Sequence, residues 1–231
     1  MSHLLRVVLP DRPGALGAVA TALGEVGGDI LSVDVVERSA GSATDDLVVE
    51  LPPGRLADAL VSAASALPGV HVESIRPYAG RIDPHRELEL LDVLATGPDD
   101  PWSLLADGVA RIFRAGWALV LDPPSEGWSS VRAASRSAPE LHALQVPWWP
   151  PSPARALPGD QPWAPPDWDR LGTELAVAPL GDAALLVGRP ALHWLPSEVM
   201  RLQHLAAIAG TVTAAAAPIT AGGWPPGRSP S

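Results

Sequence analysis

The sequence contains no cysteine, no lysine and no asparagine, and all 16 of its basic residues are arginine. Without cysteine the chain has no disulfide, no thiolate nucleophile and no cysteine-ligated zinc or iron–sulfur cluster. Without lysine it lacks the phosphate contact of a Walker A loop and the amine of a pyridoxal phosphate enzyme or Schiff-base aldolase. Because lysine and asparagine have AT-rich codons, their absence indicates a bacterial, high-GC source and is no clue to mechanism.

Long apolar runs and positive charge are also scarce. No run in the 231 residues reaches the roughly 18–20 apolar residues of a membrane span. The net charge of −10 argues against the basic face that nucleic-acid binding requires. The N-terminus lacks the apolar region and cleavage site of a signal peptide. We therefore expect a soluble, cytoplasmic protein with no nucleic-acid or membrane partner.

Tryptophan divides the chain into two parts, because none of the nine tryptophans lies in the first 80 residues. This boundary predicts one domain over residues 1–80 and a second over residues 84–216. Within the second, residues 139–168 are an insertion rich in proline and tryptophan. We expect it to be extended or irregular, because proline removes backbone donors and restricts its predecessor. Residues 217–231, rich in proline and glycine, are expected to be a disordered tail.

The first part shows strand and helix patterns in the order βαββαβ. His3 to Leu9 predicts the first strand, and Ile30 to Arg38 predicts the second, with three apolar residues on one face (Leu31, Val33 and Val35). Pro13 suits the first position of the first helix, with Asp11 or Arg12 at its cap. Two right-handed crossovers in this order give a four-stranded antiparallel sheet with both helices on one face.

Three short segments of this part resemble the ACT domain family over about residues 3–78. They are LPDRPGAL at 9–16, GGDI at 27–30 and LPGV at 67–70. ACT domains are small regulatory modules best known for binding amino acids. In similar ACT domains the ligand lies between the first loop and the helix-to-strand turn, often at a dimer interface. The resemblance implies a ferredoxin-like fold, a homodimer and an amino acid as ligand.

The first loop also predicts a ligand site on physical grounds. The amides of Gly14, Ala15 and Leu16 would fall in the first helical turn, where they lack intrahelical acceptors and the helix dipole favours a carboxylate. On the resemblance, Asp11 and Asp29 would hold a ligand ammonium group. The alternative is that Asp11 only caps the helix and the glycines only end it. The predicted ligand-binding residues are Asp11, Arg12, Pro13, Gly14, Ala15, Leu16, Gly28, Asp29 and Ile30.

The second part resembles a GAF domain over about residues 84–215. The similar segments are ELAVAPLG at 174–181, ALLVG at 184–188 and LPSEVMRL at 195–202. The resemblance implies an α/β sandwich that binds a small molecule or serves only for dimerisation, and no cysteine is present to attach a bilin. Four tryptophans of the insertion have two interpretations, a recognition surface or the packing of an irregular loop (Trp148, Trp149, Trp163 and Trp168).

No arrangement in the sequence meets the minimum for an acid, base or nucleophile. The densest set of possible metal ligands is Asp83, His85, Glu87 and Glu89, which a solvated linker explains. Two aspartate pairs, Asp45-Asp46 and Asp99-Asp100, are likewise expected to be solvated. We therefore expect no catalytic residue, no metal and no cofactor.

The leading hypothesis is a non-catalytic regulatory protein that senses a small molecule, an amino acid, through its ACT domain. The alternative is a structural or dimerisation module that binds a protein partner through the Trp/Pro loop or the C-terminal helix. A third hypothesis is an enzyme with a metal at Asp83, His85 and Glu87.

Overall fold

The computed structural model describes residues 1–78, 85–158, 161–170 and 172–216. The N-terminal half, residues 1–78, contains β1 Ser2–Pro10, α1 Ala15–Glu25, β2 Asp29–Ser39, β3 Ser42–Glu50, α2 Asp58–Ser65 and β4 His71–Pro77. The C-terminal half, residues 85–216, contains α3 Arg86–Ala95, α4 Pro101–Ile112, β5 Trp117–Leu121, β6 Trp128–Ala134, β7 Ala143–Gln145, β8 Arg155–Leu157, α5 Pro166–Arg170, β9 Thr173–Leu180, β10 Ala183–Pro190 and α6 Pro196–Ala216. The predicted tail and the junction at 79–84 lie outside the described residues.

The strands of the N-terminal half form one antiparallel sheet in the order β2-β3-β1-β4. Because side chains alternate along a strand, Leu5 and Val7 of β1 share a face with Leu47 and Val49 of β3. This face packs against apolar residues of both helices, Val19, Leu23, Leu60 and Ala64. The ferredoxin-like βαββαβ fold predicted from the sequence is confirmed.

The other face of this sheet is covered by the C-terminal half. Leu4 and Val48 on that face are buried, and the buried side chains of Arg6 and Asp46 lie beside them. Arg6 reaches Glu198 of α6, and Asp46 reaches Arg114, which follows α4. The two halves therefore share a polar, buried interface across the face of the sheet that carries no helix of its own.

The predicted start of α1 is wrong by two residues. The helix begins at Ala15, and Gly14 occupies the cap with a left-handed φ of 86° and no side-chain cap. Residues 11–14 form a turn before it. Pro13 is therefore not the first helical residue, and neither Asp11 nor Arg12 caps the helix. A left-handed residue at this position ends the turn, and glycine adopts that conformation without steric cost.

The C-terminal half has one six-stranded antiparallel sheet in the order β7-β6-β5-β10-β9-β8. Alternate residues such as Val120 and Leu185 face a core that includes α3, α4 and α6. The residues between them, such as Leu119 and Leu186, face the Trp/Pro-rich insertion. This arrangement agrees with the predicted α/β sandwich. Helix α4 ends at Ile112, and Arg114 just after it takes a positive φ of 53°.

The insertion is irregular as predicted, with two strands of three residues and one short helix. Its tryptophans pack against the sheet: Trp148 and Trp168 are buried, and Trp168 lies 4.6 Å from Trp117 between ring centroids. The Trp117 ring in turn fills the space beside Gly188, where a Cβ would come within 2.2 Å of it. The side chains therefore favour the packing interpretation of this loop. Among the described residues, no helix has the length and hydropathy to cross a membrane.

Candidate functional site

The turn between β1 and α1 is open to solvent, as a ligand site requires. Asp11, Arg12, Pro13 and Gly14 are all exposed, while Ala15 and Leu16 are half-buried. No atom lies within 4 Å of a Cβ built on Gly14, so the space beside the backbone is free. One of the three predicted donors is already used, because the Ala15 amide donates to the Arg12 carbonyl at 3.2 Å.

The amides that remain are those at the open end of α1. In the described part of the chain, the backbone amides of Gly14, Leu16 and Gly17 have no backbone acceptor outside the helix. They lie at the positive end of an 11-residue helix, where an anion is stabilised. The predicted carboxylate site therefore keeps a donor set, with Gly17 in place of Ala15.

The turn between α1 and β2 is shaped by close packing. Gly28 donates its amide to the Leu23 carbonyl at 2.9 Å. A Cβ at Gly28 would lie 2.9 Å from that carbonyl and 2.9 Å from a methyl group of Val49. Gly28 is therefore required by the backbone, while Asp29 beside it is exposed.

The structure does not bring the two predicted parts of the site together within one chain. The first part, residues 11–16, precedes α1, and the second part, residues 28–30, follows it. At 1.5 Å per residue the helix separates them by about 15 Å along its axis. One small ligand can touch both parts only if they belong to different copies of the chain.

Asp45 is a buried carboxyl near the first turn, and the prediction that it is solvated is wrong. Asp45 is 2% exposed, and its Oδ1 atom is buried with no hydrogen-bond partner. Burial raises the pKa of Asp45; Arg38 lowers it, and the charges of Asp46, Asp11 and Asp34 raise it further. A side chain in this state gains from any cationic or donor group that reaches it.

The neighbouring Asp46 is also buried, but it has arginine partners in a cluster of charged residues between the two halves. Arg6 binds Asp46 through two bonds, from Nε at 2.7 Å and from Nη2 at 2.8 Å. Arg114 adds a third bond from its Nη1 to Asp46 Oδ2. The expectation of a solvated Asp46 is therefore wrong too, because the C-terminal half covers this face of the sheet.

Glu198 is the second carboxylate of the cluster. Arg189 binds it with two bonds of 2.8 and 2.6 Å, and Arg6 binds it from the other half at 3.0 Å. The amide of Leu195 also donates to Glu198 at 3.0 Å. Burial alone would raise the pKa of Glu198, but the hydrogen bonds from Arg189 and Arg6 outweigh it and lower the pKa to about 2. Glu198 is therefore ionised at neutral pH and joins the two halves.

Arg76 is a further charged residue of the cluster, and only part of its guanidinium is hydrogen-bonded. Its Nη1 donates to the Arg114 carbonyl at 2.9 Å, and its Nη2 is buried without a partner. Burial, together with the nearby arginines, lowers the pKa of Arg76 to about 10. The left-handed backbone of Arg114 thus places its carbonyl against Arg76 while its side chain reaches Asp46.

Comparison with protein families matches the ACT domain to residues 3–69. Residues 3–69 are an ACT domain. ACT domains are regulatory modules that sense small molecules and are not themselves catalytic. Strand β4, which follows the matched residues, completes the sheet of the ACT domain. Comparison with curated proteins gives no match.

Solved structures similar to the chain include proteins with GAF domains. The GAF domain of a phosphoenolpyruvate-protein phosphotransferase from Acinetobacter aligns over 57% of this chain and 92% of its own, with 12% identity and a TM-score of 0.44. The chromophore-binding domain of a bacteriophytochrome from R. palustris aligns over 93% of this chain and 92% of its own, with 11% identity and a TM-score of 0.41. A formyltetrahydrofolate deformylase from Pseudomonas putida aligns over 39% of this chain, with 14% identity and a TM-score of 0.28, and the chain spans 36% of its length.

Two of the remaining acidic residues, Asp100 and Glu87, make contacts that stabilise helices of the C-terminal half. Asp100 caps α4, where its Oδ1 accepts from the Ser103 amide at 3.1 Å and this bond lowers the pKa of Asp100. Glu87 pairs with Arg201 of α6 at 2.5 Å. Asp83 lies outside the described residues, and within the described ranges no group of three possible metal ligands occurs.

Sequence reasoning missed the buried ion pair between Arg6 and Glu198. Arg6 and Glu198 lie 192 positions apart, so no local spacing connects them. A signal was present for Arg6 alone, because an arginine interrupts the apolar run of β1. Such a residue in the middle of a strand indicates a buried ion pair or a covered sheet face.

Proposed function

We propose that the protein is a cytoplasmic, non-catalytic regulator that senses an amino acid at the β1–α1 turn of its ACT domain. The observation that supports it best is that the amides of Gly14, Leu16 and Gly17 have no backbone acceptor outside the helix. Exposed Asp11 lies in the same turn, and buried Asp45 is near enough for the charge of Asp11 to raise its pKa. The amides suit the ligand carboxylate, and the carboxylates suit its ammonium group. The proposed ligand residues are those predicted from the sequence, with Asp45 added.

The separation of the two predicted parts of the site supports a homodimer. β2 begins at Asp29 and ends at Ser39, beside the Arg38–Asp11 ion pair. It is an edge strand of the described sheet. If two β2 strands pair antiparallel, the start of one meets the end of the other, and Asp29 of one copy approaches Asp11 of its partner. The site would then be complete only in the dimer.

Thermal unfolding with each of the twenty amino acids tests the sensing function. A ligand at about 100 times its Kd stabilises the protein by about 2.7 kcal/mol, and calorimetry then gives its affinity. We expect Asp11→Ala to abolish this stabilisation with little loss of intrinsic stability, because its ion pair with Arg38 is exposed and long at 3.9 Å. Asp58→Ala is the matched control, because Asp58 is an exposed aspartate of α2. Stabilisation by none of the twenty amino acids would refute the proposal.

The second candidate function is a structural module that binds a protein partner. The described tryptophans of the Trp/Pro loop are packed, so α6 is the better surface, with Met200 and Ile208 exposed at 60% and 49%. The two functions differ in their dependence on the turn, since partner binding through α6 does not require Asp11.

A further inference from the structure

The β2–β3 hairpin carries the proposed ligand site on one face and the interface with the C-terminal half on the other. Its register pairs Asp34 with Asp46, Val35 with Asp45, and Arg38 with Ala43. Because successive side chains of a strand point to opposite faces, Asp45 and Asp46 lie back to back. The two carboxylates therefore face different parts of the molecule although they are neighbours in sequence.

The face on the side of the helices belongs to the proposed ligand site. Arg38 lies 3.9 Å from Asp11, and the Asp11 amide donates to the Gly41 carbonyl in the hairpin loop at 3.0 Å. Asp45 is buried on this same face with one oxygen unpaired. The turn that would hold a ligand is thus joined to the hairpin by one backbone bond and one ion pair.

The opposite face contacts the C-terminal half at three points along the hairpin. Asp46 accepts from Arg114, and Asp34 lies 3.9 Å from the same guanidinium. Glu37 accepts from the Ser197 hydroxyl at 3.1 Å, at the start of α6.

From these contacts we propose that the β2–β3 hairpin transmits occupancy of the β1–α1 turn to the start of α6 in the C-terminal half. The identity of the ligand rests on the proposed function; the mechanical link does not. We call Arg38 and Asp45, on the side of the proposed ligand site, the input side chains. The output side chains are those that contact the C-terminal half, Asp34, Glu37 and Asp46.

The receiving end is suited to respond to a small displacement. Arg6 shares its guanidinium between Asp46 and Glu198, so a movement of Asp46 alters the bonds that hold Glu198. Glu198 in turn accepts from the Leu195 amide before α6. Bidentate bonds tolerate little change in angle, so a small shift of the hairpin reaches the helix.

Amide hydrogen exchange on the full chain without ligand tests the link. We perturb the input face with Arg38→Ala, whose side chain is exposed, and separately with Asp45→Asn. We expect exchange at Leu195 to change by about fivefold or more, the usual lower range of coupling between sites, with amides of β9 as an internal reference. Asp58→Asn on α2 is the control, and it should leave Leu195 unchanged.

Coupling is reciprocal, so Glu198→Gln should change exchange of the Asp11 amide by a similar factor. If both input variants leave Leu195 within twofold of the wild type, or if Asp58→Asn moves it equally, the link is refuted. Calorimetry with the twenty amino acids is a separate measurement. Its failure would refute the amino-acid ligand and leave the exchange result to decide the link.

Discussion

At the scale of single residues, Asp45 and Asp46 differ because successive side chains of β3 point to opposite faces of the sheet. Both are carboxylates of β3, and both are at most 2% exposed. Asp46 has arginine partners from both halves, whereas Asp45 keeps an oxygen without any. A buried carboxylate with partners stabilises its surroundings, and one without partners destabilises them.

This contrast predicts opposite effects of the same substitution. We expect Asp46→Asn to lower the free energy of unfolding at pH 7 by about 3 kcal/mol, because it leaves Arg6 and Arg114 short of a buried counter-charge. We expect Asp45→Asn to leave the free energy unchanged or to raise it. Since the folded pKa of Asp45 is raised above its ordinary value, its ionisation weakens folding as the pH rises through that ordinary value. Urea unfolding of both variants at pH 7 and pH 4 checks this.

The gain of Asp45→Asn should shrink at pH 4, because that pH is close to the ordinary pKa of 3.8 and most of the range over which ionisation of Asp45 weakens folding lies above it. Equal destabilisation by the two variants at pH 7 would contradict the assignment of Asp45 to the unpartnered side of the sheet. Sequence reasoning could not separate these residues, because the partners of Asp46 lie on another strand and in the C-terminal half, and no local pattern indicates them.

At the scale of elements, alternation and helical periodicity were sufficient for most of the fold. The strands predicted over His3 to Leu9 and Ile30 to Arg38 are present as β1 and β2, each one residue longer at both ends. The error is at the start of α1, where Gly14 takes a left-handed conformation. Arg114, which follows α4, takes a left-handed conformation too. For Arg114 the interface contact with Asp46 accompanies this conformation, and such tertiary causes are invisible in a local sequence pattern.

The exposure of the apolar residues of β2 could not be predicted from their alternation in the sequence. The sequence places Leu31, Val33 and Val35 on one face, and the structure leaves them 41%, 43% and 46% exposed. An exposed apolar edge strand favours pairing with another chain. The proposed ligand site, divided between the two ends of α1, would require such a pairing.

We expect Val33→Arg to convert the proposed dimer to a monomer, because it places two like charges in the paired edges. Val93→Arg is a matched control, since Val93 is 45% exposed and lies on α3 of the C-terminal half. Sedimentation equilibrium on the three proteins measures the change. A wild type that is monomeric at all concentrations, or a dimer that survives Val33→Arg, would contradict pairing through β2.

At the scale of the whole molecule, buried ions hold two differently built halves together. The apolar cores of the halves are separate clusters, and the cluster around Arg6 and Glu198 joins them across the interface. Composition indicated two parts, yet it could not show how they meet. That arrangement also explains why Arg6 lies in the middle of β1: its side chain is on the helix-free face of the sheet, where the C-terminal half supplies Glu198 as a partner.

The acid stability of the protein should therefore depend on Glu198. Its folded pKa of about 2 lies below the ordinary value of 4.5, so the stabilisation is complete above pH 4.5 and is lost as the pH falls towards 2. A shift of this size corresponds to about 3 kcal/mol. The quantity that isolates Glu198 is the difference in free energy of unfolding between the wild type and Glu198→Gln. We expect this difference in urea unfolding to be large at pH 7 and to narrow steadily between pH 4.5 and 2. A difference that stays constant with pH would mean that Glu198 acts through packing alone, and that the charge of the interface does not hold the halves together.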